Sequence, residues 1–335
     1  MRPWNRAAPA LTALLAAAGL LGGLFDTVSA AAPTTAGSPG ARARALCAGS
    51  ARTVGTLTEP ALTETSGLAW SRAHRGVRWA HNDSGDTARV FALAADGAAL
   101  GVVTVTGASA YDWEDMALGA GPGDVDSLVL ADTGDRGTGG RTEVTIYRVP
   151  EPVPPGPGAT SATEPAVAIG LTYPDGAHDA EALLVDDRSG DLVIVTKGGD
   201  GHPTVYRAPG AARSPGGTRV TLEVIGPLGM PTEPGASRRL LELAGLGATA
   251  DQVTGADAAT AGVAVVRTYG GIAVYRWAKS ATLASALLGV PCAAPSPLDV
   301  RFPQGEAIAL SPDGRRAVTV SEGVGAPLVE LRAQR

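Results

Sequence analysis

The stretch that decides the fold is residues 112–150, DWEDMALGAGPGDVDSLVLADTGDRGTGGRTEVTIYRVP. It contains three apolar runs of strand length separated by segments rich in Gly, Asp and Thr, which is typical of consecutive antiparallel strands. A fourth apolar run, AVAIGLTYP, follows at 166–174. The stretch therefore predicts a unit of four strands, and an acidic residue stands at the start of its first strand.

Similar units recur along the chain. Their openings share an acidic residue followed by small and apolar residues, and they read ETSGLAW at 64–70, DWEDMAL at 112–118, HDAEALLV at 178–185, GADAATAGV at 255–263 and QGEAIAL at 304–310. Three of the third strands carry a Tyr-Arg pair, at Tyr147, Tyr206 and Tyr275. Four-stranded units repeated in this way predict an all-β fold, a β-propeller with five blades.

Two alternatives to that fold stay open. Residues 226–250 form either a long loop with a short helix or a degenerate sixth blade, and a sandwich of two sheets is the rival architecture. The last unit lacks a fourth strand, whereas a β-like run, ARTVGTLTEP at 51–60, precedes the first unit. We therefore expect this N-terminal strand to complete the last blade and close the ring.

The two cysteines, Cys47 and Cys292, lie near the two ends of the predicted domain. In an exported protein, such a pair predicts a disulfide. A lipid-modified Cys47 is the alternative, but Leu46 occupies the position where a lipid-attachment motif requires a small residue. A disulfide would tie the start of the domain to the last unit.

The N-terminal residues predict export. Residues 1–30 combine Arg2 and Arg6 with an Ala/Leu-rich run and a small-residue cleavage site, so they predict a signal peptide, with an uncleaved membrane anchor as the alternative. Residues 31–46 predict a disordered spacer, and 47–335 the propeller domain. We therefore expect a secreted, extracellular protein that leaves the membrane once the signal is cleaved.

The charge of the chain limits its partners. The formal charge of −6 becomes −7 when residues 1–30 are removed, because two arginines and one aspartate are lost. An acidic protein is a poor partner for nucleic acid or anionic membranes. We expect a monomer that binds a small molecule or an extracellular polymer.

The acidic openings predict a metal site. In a propeller, the starts of the innermost strands meet at one mouth of the central channel, and carboxylates gathered there repel one another unless a cation joins them. Oxygen ligands in this number suit Ca²⁺. The expected ligands are Glu64, Glu114, Asp115, Glu181 and Glu306, with Asp112, Asp179 and Asp257 close by. The alternative is that these acids accept backbone hydrogen bonds and hold the blades together.

A second set of polar residues ends the second strands and is expected at the same mouth. It comprises Asp83, Asp132, Lys197, Arg267 and Glu322. We expect Lys197, Arg267, Asp83 and Asp132 to contact a ligand, and Glu114 or His81 to transfer a proton. The sequence contains no G-x-S-x-G, H-E-x-x-H, C-x-x-C or dinucleotide-binding motif.

The motifs SGLAW, DWEDMA, DAEALL and QGEAIA resemble those of exported phytase-like proteins, the "esterase-like activity of phytase" propellers, and of quorum-regulated propellers. A more distant resemblance is to propellers of the gluconolactonase type. The resemblance implies a propeller with Ca²⁺ near its channel and hydrolysis of phosphate esters or lactones, and only Glu64, Glu114, Glu181 and Glu306 match its acidic positions. Two functions are therefore expected: a secreted calcium-binding hydrolase, or a non-catalytic propeller that binds a ligand or protein.

Overall fold

The computed structural model describes residues 38–137, 140–199, 201–232, 236–243, 245, 247–296 and 304–334. The predicted signal peptide and residues 31–37 of the predicted spacer lie outside these ranges. The described chain begins with helix α1 (Pro39–Cys47) and strand β1 (Ser50–Thr56). The remaining strands, together with β1, form five sheets.

Each sheet is a blade, numbered by the order of its innermost strand. Blade 1 contains β2 (Thr65–Trp70), β3 (Arg78–Asn82), β4 (Arg89–Leu93) and β5 (Ala99–Thr104). Blade 2 contains β6 (Trp113–Ala120), β7 (Asp126–Asp132), β8 (Glu143–Pro150) and a fourth strand. The short β9 (Thr160–Ala162) follows β8 and pairs with β5 of blade 1, and β10 (Val167–Thr172) is the fourth strand of blade 2. Blade 3 contains β11 (Ala180–Asp186), β12 (Asp191–Thr196), β13 (Thr204–Ala208) and a fourth strand. The short β14 (Arg219–Thr221) follows β13 and pairs with β10 of blade 2, and β15 (Glu223–Pro227) is the fourth strand of blade 3.

The last two blades follow the same plan. Blade 4 contains β16 (Val253–Ala259), β17 (Val263–Thr268), β18 (Gly271–Arg276) and β19 (Cys292–Ala294). Blade 5 contains β20 (Gly305–Leu310), β21 (Arg316–Ser321), β22 (Pro327–Arg332) and β1. Short helices lie between strands: α2 (Ala236–Leu243), α3 (Gly247–Ala250), α4 (Leu283–Ala286) and two 3₁₀ turns, Pro122–Asp124 and Ala211–Arg213.

The five innermost strands form a closed ring. β2 packs against β6, β6 against β11, β11 against β16, β16 against β20, and β20 against β2. Their residues are buried along the whole length of each strand. This arrangement is a five-bladed β-propeller, as predicted, and not a two-sheet sandwich. Within 226–250, the described residues contain the end of β15 and two helices, so no sixth blade forms there.

The two ends of the described chain meet in blade 5. β1 lies antiparallel to β22, with Ser50 opposite Arg332 and Thr56 opposite Pro327. The predicted disulfide is confirmed, since Cys47 is bonded to Cys292 at the start of β19. The prediction of a disordered spacer up to residue 46 is wrong for its last part, because α1 is helical and buries Ala43 and Leu46 against blade 4.

The core lies between neighbouring blades. Tyr147, Tyr206 and Tyr275 are each buried in the apolar layer that joins their own blade to the preceding one. Burial of a large side chain of this kind contributes roughly 2 kcal/mol to the free energy of folding. The repeated Tyr-Arg pair therefore marks the same packing position in three blades. No helix in the described part of the chain is long and apolar enough to cross a membrane.

Candidate functional site

Each innermost strand has a β-bulge near its start, where its pairing with the second strand of the blade is irregular. In β2, β6, β11 and β16 a single extra residue interrupts the register with the second strand, and in β20 the interruption spans Glu306 and Ala307. The interrupting residues are Ser66, Glu114, Glu181, Thr254 and Glu306. A bulge of this kind re-aims a side chain at the rim of a sheet. The five blades therefore present one polar side chain each at the same level of the ring.

Glu114 is the centre of the acidic cluster. Oxygen atoms of Asp83, Asp112 and Glu114 lie within 4.8 Å of one another, and so do those of Glu114, Asp179 and Glu181. Glu114 belongs to both groups and is buried, with 6% of its surface exposed. Among the described residues no donor bonds to its carboxylate. We call these five residues the acid cluster.

Burial and neighbouring negative charges raise the pKa values of three carboxyl groups in the acid cluster. Burial, followed by the charges of Glu181 and Asp83, raises the pKa of Glu114 well above its ordinary value. Burial and Glu181 likewise raise the pKa of Asp179 to about 7. Burial also raises the pKa of Asp83 well above normal, and the charge of Glu181 adds to that effect. A cation or protons must therefore compensate the buried carboxylates.

Local backbone geometry leaves room for these carboxylates. A Cβ atom on Gly134 would lie 1.9 Å from Oε1 of Glu114 and 2.5 Å from Oδ2 of Asp112, so a larger residue there would displace both carboxylates. The backbone N–H of Arg136 donates a hydrogen bond to Oδ2 of Asp112 at 2.6 Å. The loop after β7 thus closes over the acid cluster and fixes one of its members.

Positive charge borders the cluster on one side. Nζ of Lys197 lies 2.5 Å from Oε1 of Glu181 and 3.9 Å from Oδ2 of Asp179. Although burial disfavours the charge of Lys197, the neighbouring Glu181 raises its pKa. Lys197 is therefore engaged with cluster carboxylates and neutralises part of their charge.

Glu306 lies with a second carboxylate and a tyrosine beside the cluster. Burial, then the charge of Glu322, raises the pKa of Glu306 to about 8, and a hydrogen bond from Tyr269 acts in the opposite direction. Burial, then the charge of Asp83, raises the pKa of Glu322 to about 7. The negative charges that raise the pKa values of Glu306 and Glu322 therefore include those of acid-cluster residues.

Two predicted site acids serve the backbone instead. Oδ2 of Asp115 accepts hydrogen bonds from the N–H groups of Leu183 and Ala256, and Oδ1 accepts one from Met116. The carboxylate of Asp257 accepts hydrogen bonds from Ala258 and Leu310 in the same manner. The expectation of a metal ligand at Asp115 is corrected, because its oxygens are already occupied by three backbone donors.

Two further predicted residues do not belong to the two carboxylate groups of the acid cluster. Glu64 is exposed and lines a cavity of about 210 Å³ with Asn82, Asp86 and Arg89. Asp132 is buried, accepts N–H groups from Tyr111 and Asp112, and pairs with Nη1 of Arg141 at 2.9 Å. We correct the expectation that Asp132 contacts a ligand, because the chain itself satisfies its carboxylate.

His81 is fully buried. Its ring lies edge-on to Trp113 at 5.3 Å between centroids, and its Nδ1 donates a hydrogen bond to the carbonyl of Asn82 at 2.8 Å. Burial lowers the pKa of His81 to about 4, so the ring is neutral at pH 7. The expectation that His81 transfers a proton is corrected, because a ring without solvent access cannot meet a ligand.

Arg267 is the other predicted ligand contact, and its guanidinium is buried against Gly305 at the start of β20. A Cβ on Gly305 would lie 1.6 Å from Nη2 of Arg267. Nε and Nη1 are buried and have no hydrogen-bond partner among the residues that the structure describes. Burial lowers the pKa of Arg267 to about 10, and the charge of Glu306 acts in the opposite direction.

Asp112 and Asp179, which were expected only close to the metal ligands, belong to the acid cluster itself. The signal was present, because both residues precede a cluster glutamate by two positions, as Asp112-Trp113-Glu114 and Asp179-Ala180-Glu181. Ser66 and Thr254 were also missed. They occupy the bulge positions of blades 1 and 4, where Ser66 donates a hydrogen bond to the carbonyl of Glu114, and Thr254 donates one to that of Gly305.

Comparison with known proteins assigns no function to this chain. No protein-family model matches the chain, and no curated protein matches it. The chain is similar to streptogramin B lyase at 12% identity and a TM-score of 0.37, over 81% of this chain and 65% of that one. It is similar to a luciferin-regenerating enzyme at 9% identity and a TM-score of 0.41, over 86% of this chain and 100% of that one. Similarities this low carry no argument about activity, and the resemblance to phytase-like proteins gains no support from a family model.

Proposed function

We propose that the mouth of the channel binds a divalent cation, Ca²⁺ in the first place, through Glu114 and the carboxylates around it. The observation that carries this proposal is that Glu114 belongs to two groups of three carboxylates, each with oxygens within 4.8 Å of one another. The expected ligands are the five members of the acid cluster: Asp83, Asp112, Glu114, Asp179 and Glu181. A cation bound there would remove the repulsion that raises the pKa of Glu114.

The donor set favours calcium over softer metals. All the proposed ligands are carboxylates, with no cysteine or histidine among them, and such oxygens suit Ca²⁺, Mg²⁺ or Mn²⁺. Ca²⁺ accepts six to eight oxygens in irregular geometry, whereas Mg²⁺ requires a near-ideal octahedron. Ligands contributed by separate loops and bulges form the irregular geometry that Ca²⁺ accepts more easily than the octahedron that Mg²⁺ requires.

A hydrolase is the activity that this site supports first. A bound Ca²⁺ would polarise the oxygen of a phosphate ester, carboxylate ester or lactone, so that water attacks the phosphorus or carbonyl carbon. The bond to the leaving oxygen then breaks, and the proton of the attacking water passes to that oxygen. We propose that the protein is secreted, and the disulfide between Cys47 and Cys292 supports an oxidising compartment.

A non-catalytic propeller that binds a ligand or a protein partner is the second candidate. The burial of His81 favours it, because the hydrolase hypothesis assigned proton transfer to Glu114 or to that ring, and burial removes the ring. In this case the cation would orient an extracellular small molecule or polymer at the channel mouth. The protein would then bind the ligand as a monomer and release it unchanged.

Calorimetric titration with Ca²⁺ and Mg²⁺ tests the cation site. The wild type is compared with Glu114→Gln and with Glu143→Gln, whose exposed carboxylate on β8 pairs with Arg219 on the surface. We expect Ca²⁺ to bind the wild type and the Glu143 variant, and the Glu114 variant to bind at least tenfold more weakly. Equal affinity in all three proteins would overturn the proposal.

Turnover measurements then separate the two candidates. The calcium-loaded protein is tested on a phosphate monoester, a carboxylate ester and a lactone, with and without a chelator. Turnover that the chelator abolishes, and that Glu114→Gln lacks, supports the hydrolase. Calcium binding without turnover on any of the three supports the binding module.

A further inference from the structure

Arg267 is a buried cation that forms no ion pair with any carboxylate in the described part of the chain. The residue retains 7% of its accessible surface. Two of its guanidinium nitrogens, Nε and Nη1, are shielded from solvent and find no hydrogen-bond partner within the ranges that the structure describes. Among the described residues, none forms an ion pair with it. Removing an arginine from water without such compensation is costly, because its charge loses the solvation of the bulk solvent.

The position of the guanidinium is set by two neighbouring blades. Arg267 lies on β17, opposite Gly255 of β16, and its guanidinium crosses to Gly305, the first residue of β20. Side chains are absent at both glycines, and a Cβ on Gly305 would occupy the space of Nη2. Thr254 donates a hydrogen bond to the carbonyl of Gly305 at 2.8 Å, which fixes the start of β20 beside the arginine.

The neighbourhood also explains why Glu306 does not neutralise Arg267. The charge of Glu306 reaches the guanidinium, since it acts to raise the pKa of Arg267. No oxygen of Glu306 lies within 4.0 Å of a guanidinium nitrogen of Arg267, and the nearby Tyr269 lowers the pKa of Glu306 as a hydrogen-bond donor. The guanidinium thus lies beside the start of β20, and two of its donors have no acceptor among the described residues. Unlike His81, which has no exposed surface, Arg267 keeps 7% of its surface exposed, and a ligand would approach it there.

We propose that Arg267 forms an anion subsite at the channel mouth, so that the ligand of this site carries a carboxylate or phosphate group. A guanidinium presents its N–H groups as a planar fork that matches the oxygens of either anion. Lys197 differs, because Glu181 and Asp179 already occupy it. The proposal rests on the proposed function in one respect: the bound cation and Arg267 hold the same ligand, the cation at the acid cluster and Arg267 beside β20.

Calorimetry with acetate and methylphosphonate tests the subsite and distinguishes a carboxylate from a phosphate group. Titrations at constant ionic strength, with and without Ca²⁺, compare the wild type with Arg267→Met and Arg219→Gln. Arg219 is exposed and lies at the outer edge of blade 2, so its variant removes the same charge from the surface. We expect anion binding to the calcium-loaded wild type and the Arg219 variant, and a loss of roughly tenfold or more in Arg267→Met.

Thermal unfolding separates ligand binding from a structural role of the arginine. Without anion, Arg267→Met is expected to unfold at the same or a higher temperature than the wild type, because it removes an uncompensated buried charge. With anion, only the wild type should gain stability. A large fall in the unfolding temperature of the Met variant, with unchanged anion affinity, would show a structural role and overturn the proposal.

A conservative variant covers the case in which Arg267→Met does not fold. Arg267→Lys keeps the charge but lacks the fork, so its anion affinity is expected to fall by roughly tenfold, and an unchanged affinity would count against the subsite. The two proposals fail separately. Calcium binding without anion binding would overturn only the anion subsite, whereas anion binding that depends on Arg267 without calcium binding would overturn only the cation site.

Discussion

Oδ2 of Asp115 accepts a hydrogen bond from the backbone N–H of Ala256 at 3.0 Å, which joins the innermost strands of blades 2 and 4. The same oxygen accepts the N–H of Leu183 in blade 3 at 2.9 Å. One buried carboxylate therefore links three consecutive blades at the centre of the ring. An acid that looks like a metal ligand in the sequence holds the propeller together.

Replacing Asp115 by asparagine is expected to destabilise the fold. Asparagine has one acceptor oxygen, so at least one of the three backbone N–H groups on Asp115 loses its partner. A buried donor without a partner costs about 1–3 kcal/mol in the free energy of unfolding. Urea unfolding of Asp115→Asn beside Asp124→Asn, whose carboxylate is exposed on a surface turn, measures the effect. Equal stability of the two variants would contradict the assigned role.

The stability of the protein is expected to depend on pH through Asp257. Burial raises the pKa of Asp257 to about 7 in the folded state, against the ordinary value near 4 in the unfolded chain. Between these pH values the folded state holds a proton that the unfolded state has lost, so stability falls as pH rises and levels off above pH 7.

Asp257→Asn removes this dependence. Relative to the wild type, the variant is expected to gain stability as pH rises from 4.5 to 8, by on the order of 1 kcal/mol per pH unit crossed below pH 7. Urea unfolding of both proteins over this range, with a chelator present, measures the difference. A difference that stays constant with pH would show that Asp257 is ionised throughout.

Gly134→Ala is expected to disrupt the acid cluster without removing a charge. The new Cβ would lie 1.9 Å from Oε1 of Glu114, so the carboxylate must move. We expect calcium affinity to fall at least tenfold, which corresponds to about 1.4 kcal/mol of binding free energy. Gly271→Ala is the control, because a Cβ there meets nothing within 4 Å. Unchanged calcium affinity in Gly134→Ala would argue against Glu114 as a ligand.

Loss of the disulfide is expected to destabilise the protein and release α1. Cys47 and Cys292 close a loop of 245 residues, and a cross-link across so long a loop typically contributes 2–4 kcal/mol. Urea unfolding of a Cys47→Ser, Cys292→Ser double variant gives the loss. Hydrogen exchange should show that α1 loses protection first, whereas equal protection of α1 in both proteins would mean that Ala43 and Leu46 alone hold it in place.

The amino-acid sequence alone determined the repeat, and with it the fold. Apolar runs, Gly-rich turns and acidic strand openings are local features, and strand formation depends on that pattern. The two cysteines were likewise enough to predict their disulfide. The helix at Pro39–Cys47 was missed, because its Ala- and Arg-containing segment is apolar only at the few positions that contact blade 4.

Only the tertiary structure decided which acids share the site. The sequence placed Glu64 and Asp257 in one set with Glu114, but the bulges put Ser66 and Thr254 at the equivalent positions. A shift of one residue turns a strand side chain to the opposite face, and the spacing of acids does not show where a bulge occurs. Whether a carboxylate faces other carboxylates or backbone N–H groups depends on residues of neighbouring blades that are distant in the sequence. For this reason Glu114 lies among carboxylates, whereas the adjacent Asp115 accepts hydrogen bonds from backbone N–H groups.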